Sequence, residues 1–217
     1  RPINMLNMGG DINIGQKDYL MYEGFSYKFV PIKNKMSRSD IGFSDPEDLY
    51  YKMKNVFTWD ALKRTDYFVD YHNLFTFCGV LSQRQIFVNV AKELIEVGEY
   101  EKAIEILDMC QEYVLEANFP LVLIGMDINE ADQVLKMAAY YHGLGEEEKA
   151  ESLMKRFKDE LNSTYDFFGP YINEDDYKSR VYRYICTKCE YKEYFEDIVR
   201  KSIEGVEISS DETFVFD

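Results

Sequence analysis

The spacing of apolar side chains predicts two helical hairpins in the middle of the chain. Over residues 82–115, apolar residues recur at intervals of three and four, which places them on one helix face, and Gly98 interrupts the pattern. The same arrangement returns over residues 129–162, where Gly145 is the interruption. Glycine after an apolar helix face is typical of a helix C-terminus. Each stretch is therefore predicted to form two helices joined by a tight turn.

The two hairpins are predicted to share one packing scheme, because equivalent residues keep a constant separation. Gly98 aligns with Gly145, 47 positions later. Small residues recur at the same separation: Ala91 with Ala138, and Ala103 with Ala150. A glycine permits the left-handed backbone that ends a helix, and paired alanines let two helix axes approach closely. These six residues are the predicted repeat-packing positions.

Residues 1–44 are predicted to form an irregular, partly β lead-in. Glycines and a proline separate short runs in which apolar and polar side chains roughly alternate. Asp45 followed by Pro46 then predicts the start of a helix, because aspartate is a good N-cap and proline fits the first helical position. We expect N-terminal helices over residues 45–81, with a connector over residues 59–70.

A third hairpin is predicted over residues 169–205 in a degenerate form. Tyr182 and Tyr194 replace the small residues of the other two hairpins, so the same close helix crossing is not expected. Helical arrays need such terminal hairpins to cover exposed apolar surface. The predicted fold class is thus mainly α, with the two hairpins over residues 82–168 and a tail over residues 206–217.

Charge and composition limit the classes of function. The formal net charge is −15, which argues against nucleic acid as a partner, since phosphate binding depends on clustered cations. The hydrophobic share of 46% is too high for a disordered acidic segment. No stretch approaches the ~20 apolar residues needed to span a bilayer. Because the chain starts with Arg1 rather than methionine, we expect a processed product or a piece of a longer protein.

No residue pattern predicts catalysis, a metal or a cofactor. Cys186 and Cys189 have the spacing of metal ligands, but a zinc site needs two further ligands at matching spacing. His72 and His142 lie near no nucleophile signature, and phosphate-binding glycine loops are absent. We therefore predict no catalytic residue and no metal ligand.

An acidic stripe and many tyrosines are assigned structural roles. The stripe consists of Glu101, Glu105, Asp108 and Glu112 on one side of a helix, and we expect it to face solvent. Tyrosines in helical hairpins mostly fill wide gaps between helices while their hydroxyls stay near water.

A polar groove is the one candidate binding site. In a curled array, the first helix of each hairpin lines the concave face. Its polar positions are Gln85, Asn89, Lys92, Asp132 and Lys136. This mixed-charge set would suit a peptide or another polar polymer. The alternative is an ordinary solvated surface.

Residues 82–115 and 129–162 resemble tetratricopeptide repeats. The resemblance rests on the glycine and the paired alanines of each hairpin. Two features depart from that family. The separation of 47 exceeds the usual ~34 residues, and Leu115 and Asn162 stand where such repeats commonly end in proline.

Three stretches resemble the soluble C-terminal region of a family of Bacteroidetes membrane proteins. They are Arg1-Pro2-Ile3, residues 22–32 and residues 90–107. That family is similar to the protein O-mannosyltransferases, multi-spanning glycosyltransferases that use lipid-linked sugar donors. The resemblance covers most of the chain up to residue 168.

This resemblance implies a parent protein in the inner membrane, with the present domain in the periplasm. Catalysis would belong to the membrane-embedded N-terminal part, so no catalytic residue is carried over and this fragment is not expected to be an enzyme. The domain would bind an acceptor protein, a glycan or a partner subunit, or brace the transferase.

Two other functions stay open. A stand-alone repeat adaptor for peptides would require Asn89, Lys92 and Lys136 to converge on one groove. A glycan-active enzyme would require two carboxylates facing each other across a deep aromatic cleft.

Overall fold

The computed structural model describes residues 3–6, 17–31, 33, 43–67, 81–122 and 129–168. These residues are mainly helical and include a small β-sheet, as the sequence predicted. They belong to two compact units, one up to Val114 and the other from Leu115 onward. The predicted third hairpin and tail lie outside the described residues.

Among its described residues, the first unit has four short strands and three helices. The strands are β1 (Asn4–Leu6), β2 (Leu20–Tyr22), β3 (Ser26–Phe29) and β4 (Phe43–Ser44). The helices are α1 (Pro46–Asn55), α2 (Leu81–Glu96) and α3 (Tyr100–Tyr113), with short 3₁₀ helices at Lys17–Tyr19 and Asp60–Lys63. The second unit contains α4 (Asn129–Gly143) and α5 (Glu147–Phe168).

The strands form one sheet in the order β1-β3-β2-β4. β3 is antiparallel to both of its neighbours, whereas β4 runs parallel to β2. In that parallel pair Tyr22 lies opposite Ser44, so the two side chains share one face of the sheet. The partly β character of the lead-in is confirmed.

Helix α1 starts as predicted. The Asp45 carboxylate accepts a hydrogen bond from the backbone N–H of Asp48 at 3.2 Å, and Pro46 is the first helical residue. The buried side chains of α1 are Leu49 and Met53, one turn apart, so one face of the helix turns toward the core.

Trp59 lies in the core, although the sequence placed it in a connector. Its ring centroid is 4.6 Å from that of Phe87 on α2, and Phe25 and Phe57 lie within 5.8 Å of it. The indole N–H donates to the backbone carbonyl of Met53 at 2.8 Å, so its polar atom is satisfied. The aromatic cluster links the sheet region, α1 and α2.

Both hairpins close with the same hydrogen-bonded turn. Gly98 and Gly145 each have φ of 83°. The N–H of Glu99 donates to the Leu94 carbonyl at 2.9 Å, and the N–H of Glu146 donates to the Tyr141 carbonyl at 2.8 Å. The glycine N–H groups donate to Ile95 at 3.0 Å and to His142 at 3.1 Å. This is the Schellman motif, in which two end carbonyls of the helix are satisfied by the glycine and the residue after it.

Equivalent positions in the two hairpins are buried alike. Ala91, Ala103 and Ala138 have no exposed surface, and Ala150 is 3% exposed. Further aligned pairs, buried in both hairpins, are Phe87 with Val134, Val88 with Leu135, Val90 with Met137, Leu94 with Tyr141, Ile106 with Leu153, Leu107 with Met154 and Cys110 with Phe157. Residues 47 positions apart therefore occupy equivalent places in the two hairpins, both at the turn and on the buried helix faces.

Two tyrosines of α4 fill the core as predicted, but their hydroxyls are enclosed instead of lying near water. Tyr140 and Tyr141 are 1% and 0% exposed and are among the largest fully buried side chains of the described residues. Tyr51 on α1 behaves differently, with 59% of its surface exposed.

The buried alanines should not tolerate a larger side chain. Replacing Ala103 or Ala150 with leucine should lower the free energy of unfolding by ~1–3 kcal/mol, because the added atoms overpack the space between paired helices. Urea denaturation measures the change. Ala117→Leu is the matched control, since Ala117 is exposed. If both core variants were as stable as the control, the proposed packing would be wrong.

Candidate functional site

The five predicted groove residues lie on the first helix of each hairpin. Gln85, Asn89 and Lys92 belong to α2 in the first unit, and Asp132 and Lys136 belong to α4 in the second. Gln85 is exposed, and the ammonium of Lys92 lies 3.7 Å from the Glu96 carboxylate on the same helix. The Asp132 side chain lies outside the described side chains. A single groove built from all five residues stays a prediction.

Asn89 belongs to a polar cluster between α2 and the sheet. A hydrogen bond joins its side chain to the hydroxyl of Tyr22 on β2. Four residues further along α2, the Glu93 carboxylate accepts a hydrogen bond from the Ser44 hydroxyl on β4. Residues four apart on a helix lie on one face, and Tyr22 and Ser44 are opposite each other in the sheet. We call these four residues the hydroxyl clamp.

The hydroxyl clamp is largely buried. Tyr22, Glu93 and Ser44 are 2%, 8% and 9% exposed. Burial raises the pKa of Tyr22 well above its ordinary value of 10.0, an effect that the Asn89 hydrogen bond partly offsets and that the neighbouring Tyr27 and Glu93 increase. Tyr22 therefore keeps its proton at any physiological pH.

Glu93 is only partly satisfied by the clamp. One carboxylate oxygen, Oε2, accepts from Ser44, whereas the buried Oε1 has no hydrogen-bond partner among the described residues. An unmet buried acceptor costs stability. The polar contact thus positions the sheet on α2 but holds it less firmly than a fully satisfied network would.

Ion pairs connect α1 and the following 3₁₀ helix to α3. Lys54 and the Tyr50 hydroxyl both donate to Glu105, and Lys63 donates to Glu112. Lys102 on α3 donates a hydrogen bond to the Glu47 carboxylate on α1, and its ammonium lies 5.5 Å from the Tyr50 ring centroid. Within the acidic stripe, Glu101 and Glu112 are exposed as predicted, whereas Glu105 and Asp108 are half-buried. Two of the four carboxylates, Glu105 and Glu112, also bind lysines of this unit.

A carboxylate also organises the second unit. Glu160 on α5 accepts hydrogen bonds from the backbone N–H groups of Leu121 and Val122 at 3.0 and 2.9 Å. Arg156, one turn earlier on the same helix, pairs with Glu116. Glu116, Leu121 and Val122, in the described part of the connector before α4, are thereby fixed to α5.

Cys110 is a buried thiol beside Arg84. Both side chains are nearly inaccessible, at 1% and 2% exposure. Burial raises the pKa of Cys110 to about 12, although the charge and hydrogen bond of Arg84 act in the opposite direction. The thiol is therefore protonated at neutral pH and is a poor nucleophile.

The remaining cysteines and His72 lie outside the described residues. Among the residues that the structure does describe, no group of three or more His, Cys, Asp and Glu side chains is placed to hold a metal ion. Within the same ranges, no helix combines the length and apolar character needed to cross a membrane.

The other three members of the hydroxyl clamp could not be identified from the sequence. Tyr22, Ser44 and Glu93 were not singled out, because each finds its partner across 49 residues or more of chain. One local signal exists: Glu93 comes three residues after Val90 and seven after Ile86, both buried, so it lies on their side of the helix. An acid on such an apolar face indicates a buried polar contact.

Comparison with known proteins adds no relative from which a role could be transferred. No protein-family model, curated protein or solved structure matches the chain.

The Lys54–Glu105 pair should make a small, pH-dependent contribution to stability. The hydrogen bond from Lys54 has the largest effect on Glu105, and that from Tyr50 the next largest. Together they lower the pKa of Glu105 below its ordinary value of 4.5. The contribution is therefore present above the unfolded-state pKa and is lost as the pH falls through the folded-state pKa. Because the pair is solvent-exposed, Glu105→Gln should cost less than about 1 kcal/mol at neutral pH.

Glu101→Gln is the matched control, because Glu101 is an exposed member of the same stripe. Urea titrations of both variants at neutral and strongly acidic pH measure the effect. We expect the difference between parent and Glu105→Gln to disappear in acid. A difference that persisted there would show that the ion pair is not its source.

Proposed function

We propose that this chain is a non-catalytic recognition or scaffolding domain built on tetratricopeptide-like hairpins, and that it is the extramembrane part of a glycosyltransferase-like membrane protein. The observation that carries the proposal is the repeated hairpin. Gly98 and Gly145 close equivalent turns, and the alanines at the same separation are buried. Helical repeats of this kind commonly serve as binding surfaces rather than as catalytic centres.

We also propose that the two hairpins are tetratricopeptide-like repeats. The matching turn hydrogen bonds and the matching buried positions support it. The separation of 47 residues is longer than usual, and the extra length falls in the connector between α3 and α4. Glu160 fixes Leu121 and Val122 of that connector to α5, which is compatible with a hairpin that keeps its own packing despite the insertion.

Side-chain chemistry favours binding over hydrolysis. Glycoside cleavage needs two carboxylates in different environments on opposite sides of a bond. Glu105 and Glu112 lie on a single helix and bind lysines of their own unit. The net charge of −15 favours a protein or peptide partner that offers cationic or polar groups, with a polar glycan as the second candidate.

The proposed location follows from the resemblance of Arg1-Pro2-Ile3, residues 22–32 and residues 90–107 to the membrane-protein family. The parent would be an inner-membrane protein, and this domain would lie in the periplasm. Attachment to the membrane would come from a preceding segment of the parent.

Cell fractionation combined with protease protection tests this proposal. Native cells are treated with protease before and after the outer membrane is opened. An antibody against this chain then detects the protein in each fraction. We expect the antigen in a larger inner-membrane protein that is cleaved only once the periplasm is accessible. A cytoplasmic internal protein is the control for leakage. Detection as a free soluble species close to 25.7 kDa would contradict the membrane assignment and favour a stand-alone adaptor.

A further inference from the structure

We draw no further inference here: the strongest candidate, the buried carboxylate oxygen Oε1 of Glu93 in the polar cluster between α2 and the sheet, belongs to the hydroxyl clamp already described, and within the described ranges it is not part of any group of three His, Cys, Asp or Glu side chains that could hold a cation.

Discussion

Each hairpin depends on one backbone constraint, the left-handed residue that ends its first helix. At Gly98 and Gly145, φ of 83° turns the chain so that the N–H of the glycine and the N–H of the residue after it both donate to carbonyls in the last turn of the helix. Residues with a side chain rarely adopt this conformation, so glycine fixes where the turn falls. The position of the turn then sets which side chains of the two helices meet, and it explains why Ala103 and Ala150 are buried at the same distance from it.

The first unit adds two kinds of contact to its hairpin. Aromatic packing around Trp59 connects α1 and the sheet region to α2. Trp59 and Phe87, at the centre of this packing, are buried. Polar contacts add to this: the largely buried hydroxyl clamp joins β2 and β4 to α2, and at the surface Lys54 joins α1 to the acidic stripe of α3. Apolar burial supplies most of the stability, whereas the polar contacts determine how the pieces are placed.

The sequence predicted the features whose causes are local. Asp45 caps α1 through a residue three positions away, and the glycine turns depend on neighbours within five residues. The sequence did not predict contacts between side chains that are far apart along the chain. Trp59 follows a helix end and looks like part of a connector, but its neighbours Phe25 and Phe87 are about 30 residues away in either direction. Asn89 looks like a free polar position on a helix until the register of Tyr22 with Ser44 is known. Strand register and side-chain pairing across long loops are not encoded in local periodicity, so the candidate site was predicted only as a set of polar positions.

Two hairpins with different sequences share one closing geometry, and the proposed repeat domain rests on this repetition. Amide hydrogen exchange of Glu99 and Glu146, resolved by NMR on the full chain, tests this most directly. Their N–H groups make the bonds that close the two turns, at 2.9 and 2.8 Å. We expect both amides to be protected, with protection factors within about tenfold of each other. Exchange of either amide at the rate of an unstructured chain, while the other stays protected, would contradict it.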